Sequence, residues 1–204
     1  MKKRGFKRFY TLIEIMTVIV IAAILFVIGI PAFTTMIQGS NMTIAIRQLS
    51  SKIAAARAYA VTNRCKVAIL LMEEVKNASN VAKDEYCYSA YRVCVVDSSN
   101  VFQEWIEDEN WKTLPKGIYR DSVSNADEVT DVDATDIGGQ KTKYPALIFD
   151  NKGQLTKKDN ASVITLKNGR YVNGSKIATS NEAAHTLTVN QYSGKVSVKE
   201  KTGS

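Results

Sequence analysis

Histidine is almost missing from this chain: among 204 residues there is one, His185. Cysteine is scarce too, with Cys65, Cys87 and Cys94 alone and no CxxC pair. A structural zinc site takes about four nitrogen or sulfur ligands, commonly from CxxC pairs, so with no such pair and a single histidine a zinc site is not expected. No GxGxxG, Walker A or HExxH pattern occurs, which removes the usual phosphate cradles and zinc proteases. A hydrolytic triad would have to use His185, and no GxSxG elbow accompanies it. The composition therefore points away from an enzyme, and no cofactor is expected. Only three prolines interrupt the chain.

A strong basic field is also missing. The formal net charge is +7, but Lys2, Lys3, Arg4, Lys7 and Arg8 lie in the first nine residues with no acid among them. Removing those five from the 27 bases leaves 22 against 20 acids. The remainder is close to neutral, which argues against general attraction to nucleic acid. The three cysteines permit one disulfide and one thiol in an oxidising compartment. Cys87 and Cys94 stand seven apart, so on one continuous strand they would face opposite ways and could bridge only across a turn. Buried thiols are the alternative.

What the chain has in abundance is one apolar run. Ile15–Phe33 is nineteen residues without a charge. At about 1.5 Å per residue it approaches the thickness of a bilayer core. The preceding basic cluster would hold the N-terminus in the cytoplasm and send the C-terminus outward, in a single pass. A cleaved signal peptide is a weaker reading, since its apolar region is about 7–15 residues long. Glu14 stands at the mouth of the run. A carboxylate there costs free energy and needs a reason beyond reaching the interface.

Tyr10-Thr11-Leu12-Ile13-Glu14, followed by Ile15-Met16-Thr17-Val18-Ile19, resembles the start of type IV pilins and pseudopilins. Pro31 stands seventeen residues after Glu14, where that family tends to place a proline. The resemblance implies a basic leader over 1–9, removed by a prepilin peptidase that also methylates the new amine. Cleavage is expected between Phe9 and Tyr10, or just before Phe9. The glycine that the family sets before the cut is absent there; the alternative is a chain that is not processed. Gly5 precedes Phe6, but a cut there would move Glu14 out of register. By the same resemblance, Glu14 would meet the terminal amine of a neighbouring subunit. Burying either charge alone is costly, so such a pair favours one axial register. The implied partners are other pilins or pseudopilins, the peptidase, an inner-membrane assembly platform and membrane lipid.

Residues 10–37 are thus expected as the membrane and assembly half of a stem helix, and 38–64 as its amphipathic half. Gly29 and Pro31 predict a kink or local melting. From Asn41 to Asn63, Ile46, Leu49, Ile53, Ala56 and Ala60 recur at three- and four-residue steps, which predicts an apolar stripe lying on a sheet. The stretch Arg47–Arg64 is similar to minor pseudopilins of the GspH/FimT type. So are Leu114-Pro115-Lys116-Gly117-Ile118 and the closing Leu187–Val198.

The rest, 65–204, reads as a β-rich periplasmic head, giving an α+β fold: a long helix packed on antiparallel sheet. Lys66–Met72 and Tyr86–Asp97 read as strands, with a polar loop over Glu73–Glu85. Trp105 and Trp111 stand among acids in Gln103–Pro115. Hairpins are expected around Asp150–Gly153, Asn168-Gly169 and Gln191–Gly194. Asp127–Asp136 reads as a solvated acidic loop. Asp131, Asp133 and Asp136 are a weak calcium candidate, lacking the glycine and the final glutamate of an EF-hand. Lys157, Lys158, Lys167, Arg170, Lys176, Lys195, Lys199 and Lys201, with Tyr171 and Tyr192, make DNA contact a second functional reading beside a structural pilus or pseudopilus subunit. Some FimT-like proteins serve in DNA uptake, and the resemblance adds to that reading.

Overall fold

The computed structural model describes residues 11–74, 85–107, 109–137, 142–157, 159–179 and 184–201, leaving aside the side chains of 28–38, 135, 142 and 201. The leader, Phe9, Tyr10, most of the expected 73–85 loop and Lys158 lie outside these residues. The chain divides into two compact units, residues 1–40 and 41–204. Helix α1 spans Leu12–Asn63. Its bounds run through Gly29 and Pro31 without a break, and the side-chain geometry there lies outside the described residues.

Within the second unit, Met42, Ala45, Leu49, Ile53, Ala56 and Ala60 form the buried stripe of α1. Their three- and four-residue spacing places them on one helical face. That face packs on residues of two antiparallel sheets in one shared core. Among the described residues eleven strands follow: β1 Lys66–Leu71, β2 Ala90–Val96, β3 Phe102–Trp105, β4 Lys112–Thr113, β5 Ile118–Ser124, β6 Asp127–Val132, β7 Thr142–Phe149, β8 Ser162–Val172, β9 Ser175–Ala178, β10 Ala184–Val189 and β11 Val196–Lys201. The first sheet runs β3-β2-β1-β7-β6, with β4 on β2; the second runs β11-β10-β8-β5, with β9 on β8. The fold is α+β.

The first sheet curls until its ends meet. Val101, beside β3, bridges Thr130 of β6 in parallel, and the Thr130 N–H donates to Asn100 O at 3.2 Å. Both faces are consequently buried. Val67, Ile69, Leu71, Leu147 and Phe149 face α1 in the shared core. Ala68, Leu70, Cys94, Val129, Val132, Tyr144 and Ile148 form a second core inside the curl. This is why Lys66–Met72 reads as an unbroken apolar run: neither face of β1 meets water.

Several expectations need correction. Asp127–Asp136 is not a loop; its first six residues are β6, with Val129 and Val132 fully buried between the acids. Two inward valines were enough to make a strand of a charged segment. Asn168-Gly169 is not a turn; it lies inside the eleven-residue β8. A Cβ at Gly169 would lie 2.2 Å from Ile177 O, so glycine serves close strand approach there. The turn is made by Asn173 and Gly174, at φ of 49° and 82°. Two positive values suit the primed hairpin turn. Strand β2 begins at Ala90, and Cys87 lies in the preceding turns. The cysteines form no disulfide. Cys65 packs against the helix-side core and Cys94 inside the curl, on opposite faces of the sheet.

Two turns from different sheets meet on α1. Gly153 O accepts from Arg57 Nε at 3.0 Å. A Cβ at Gly194, whose φ is 61°, would lie 2.5 Å from Arg57 Cδ and 3.2 Å from Gly153 O. Leu155 N–H donates to Gln191 O at 2.9 Å, stitching one turn to the other.

Candidate functional site

The start of α1 is built as a reciprocal cap. Glu14 N–H donates to Thr11 Oγ1 at 3.3 Å. Glu14 Oε2 accepts from Thr11 N and from Thr11 Oγ1, each at 3.4 Å. Thr and Glu three apart satisfy two N–H groups that a helix start would otherwise leave open. The anionic carboxylate in the first turn also suits the positive end of the helix dipole.

Beyond the cap, every residue from Leu12 to Val27 is apolar except Glu14 and Thr17. Thr17 donates its hydroxyl to Ile13 O at 2.8 Å, so it needs no outside partner. The apolar side chains point outward on all sides: Leu12 is 76% exposed, Ile15 52% and Val27 74%. A helix apolar around its whole circumference has no solvent face and belongs in lipid or inside a bundle. Among the described residues no helix is long and apolar enough to cross a membrane. The run Ile15–Phe33 continues past Val27 into side chains outside that set.

In the second unit the charged side chains are mostly committed to structure. Arg92 on β2 stacks its guanidinium 3.8 Å from the centre of the Trp105 ring. Its NH1 donates to Asp136 Oδ2 at 3.1 Å, and its Nε to Glu109 O at 2.8 Å. Trp111 Nε1 donates to the other oxygen of Asp136 at 3.2 Å. Glu109 in turn pairs with Lys52 of α1. Burial lowers the pKa of Arg92, and Asp136 then Glu109 oppose that shift. Asp136 is thus an anchor for Arg92 and Trp111. Asp131, Asp133 and Asp136 are not gathered, and among the described residues no group of acids, histidines or cysteines could hold a metal.

A second cation, Arg120 on β5, is buried and donates to Met72 O at 2.7 Å and Leu71 O at 3.5 Å. Burial pulls its pKa down, against the pull of Glu73 3.9 Å away. Tyr88 stacks with Tyr171 at 5.2 Å and carries Lys176 over its ring at 4.0 Å. Burial, then the Glu74 carboxylate, pushes the Tyr171 phenol up to about 12. Cys94, desolvated inside the curl, is likewise pushed up to about 12.

Several cations of the DNA reading are already engaged, and Lys167 and Lys176 meet at Asp121. Lys167 pairs with Asp121 at 2.8 Å, Lys157 donates to Ala126 O at 2.9 Å, and Lys176 is engaged with Tyr88 and Asp121 O. Tyr171 is buried and Tyr192 exposed. Lys195 and Lys199 lie at β11, Arg170 on β8. His185 sits in β10, in register with Leu166 on one side and Glu200 on the other. The Thr11 cap, the Arg92–Trp105 stack and the Arg120 site escaped the sequence reading. The first had a signal in the Thr-x-x-Glu spacing; the other two depend on contacts between distant strands.

No protein-family model and no curated protein sequence matches the chain. Among solved structures, the type IV minor pilin FimU of Pseudomonas aeruginosa is similar in two crystal forms. One has a TM-score of 0.44 at 10% identity, over 80% of this chain and 90% of that one. The other has 0.42 at 12%, over 79% and 93%. The minor pseudopilin EpsH of the type 2 secretion system of Vibrio cholerae has 0.42 at 10%, over 78% and 95%. At such scores and identities the likeness carries no argument about what this chain does.

Proposed function

We propose that this chain is a structural, minor subunit of a type IV pilus or a type II secretion pseudopilus. It is held in the inner membrane by its N-terminal helix, head in the periplasm, and passes into the filament by the same helix. The observation that carries this reading is the helix start: an apolar surface on every side, interrupted by one carboxylate at its head. The Tyr10–Glu14 motif, the register of Pro31 and a helix packed on antiparallel sheet support it. On this reading prepilin peptidase removes residues 1–9, and Glu14 leaves its cap on Thr11 to meet the amine of the next subunit. Gly29 and Pro31 give the stem a place to bend. The DNA-uptake alternative has less support, because Lys157, Lys167 and Lys176 already have partners.

The test is to co-express Glu14→Ala with the neighbouring pilin genes and measure cross-linked filament subunits. Loss of cross-links, with the head still folded, is expected; unchanged assembly would sink the proposal. The mass of the mature N-terminus decides the cut at Phe9–Tyr10.

A further inference from the structure

The head carries a groove that the assembly reading does not use. It encloses about 720 Å³ between the segment 113–119 and the β8–β9 hairpin. That volume lies in the range of small-molecule sites, about 300–1,000 Å³. Its floor is apolar: Leu114, Ile118, Tyr119 and Tyr171 line it and are buried. Ile177 on β9 forms a wall and is 47% exposed, a large apolar side chain beside an apolar floor. Gly117, at φ 88°, has nothing within 4 Å of the place a Cβ would take, which keeps that side of the groove open.

The rim gives the groove a sign. Lys116 and Arg170 line it, both exposed. Neither side chain has an ion pair or hydrogen bond among the described residues, whereas Lys167, Lys176 and Arg120 nearby all do. Among the described lining residues Glu85 is the one acid against these two cations, and the Glu74 carboxylate is held by the Tyr171 hydroxyl. An apolar floor under two unpaired cations is complementary to a molecule with an apolar body and one anionic end. Apolar contact would hold the body, while the rim charges would fix its orientation and exclude cations.

We propose that this groove binds a small amphipathic anion: a carboxylate or phosphate carrying a short apolar tail. The headgroup lies against Lys116 and Arg170, and the tail lies over Ile118, Tyr119 and Ile177.

The experiment uses the full chain in lipid nanodiscs, with isoleucine methyl groups labelled for NMR. Octanoate, octyl phosphate, octylammonium and 1-octanol are titrated, and the Ile177 and Ile118 methyl signals are followed. Octanoate or octyl phosphate should shift both signals saturably; which of the two binds tells a free fatty acid from a phosphate-headed lipid. In the double variant Lys116→Glu/Arg170→Glu, anion affinity should fall about tenfold or more and octylammonium should bind instead. Unchanged Ile148 and Ile164 signals would show that this variant is folded. Equal shifts with octanol and octylammonium on the unaltered chain would overturn the proposal, as would no saturable shift. So would an Ile177 signal that moves with protein concentration alone, since a second copy would then be the occupant.

Discussion

Two stretches assigned to one helix obey opposite rules. From Leu12 to Val27 the apolar side chains face every direction and are exposed. From Met42 to Ala60 most of the larger ones form one stripe that is buried on the two sheets, with Ile44 exposed off it. The width of the apolar surface is the difference, and it states the surroundings of each stretch. A stripe needs one sheet-covered side and tolerates water on the other; a full apolar circumference tolerates water nowhere. The first stretch therefore contributes little to the stability of an isolated chain, and the second a great deal.

The largest test of that contrast is a pair of truncations. Leu49→Ala should lower the unfolding free energy of the head by about 2–5 kcal/mol, through lost burial and the cavity left. Ile19→Ala should change it by less than about 0.5 kcal/mol. Urea unfolding of the full chain in micelles, read from Trp105 and Trp111, measures both, since these tryptophans lie only in the head. Equal effects would erase the contrast.

Alkaline unfolding sharpens it from the side of the core. Cys94 is raised from 9.0 to about 12 by burial. A thiol held neutral in the folded state contributes stability in full below pH 9, and that contribution declines as pH rises toward 12. By pH 10.5 the loss from Cys94 should be about 2 kcal/mol relative to pH 8, at about 1.4 kcal/mol per unit. In Cys94→Ala the pH slope attributable to this thiol should vanish, and denaturation midpoints at the two pH values would show it.

Smaller effects are expected at the contacts that seat the helix. Gly194→Ala places a Cβ at a positive φ and against Arg57, and should cost about 1–2 kcal/mol. Thr11→Val removes the hydroxyl that accepts from Glu14 N–H, and should cost the first turn about 0.5–2 kcal/mol. Amide exchange of residues 12–15 should speed up while that of the strands stays unchanged.

The stripe Leu49, Ile53, Ala56 and Ala60 was legible because helical spacing is a local property. So was β1, whose unbroken apolar run announced two buried faces. The Asn168-Gly169 error shows where local reading stops. Two Asn-Gly pairs stand five residues apart, and both satisfy hairpin chemistry. The choice between them is made by Tyr119 and Ile177, which crowd Gly169 from other strands. Strand β6 was hidden for a related reason. Its acids face outward, and only the partners of Val129 and Val132 across the curl show that the segment is half inside. The groove at Lys116 and Arg170 joins residues more than fifty positions apart, a juxtaposition that no spacing rule could supply.

The bridge between Val101 and Thr130 has a consequence for the borders of the first sheet. A sheet whose borders meet offers few open backbone groups for a stray strand to pair with. The other sheet has β5 and β11 as its borders; at β11 stand Lys195, Lys199 and Lys201, and repulsion between like charges discourages two β11 borders from joining. Backbone pairing between copies is thereby disfavoured along the curled sheet and along β11.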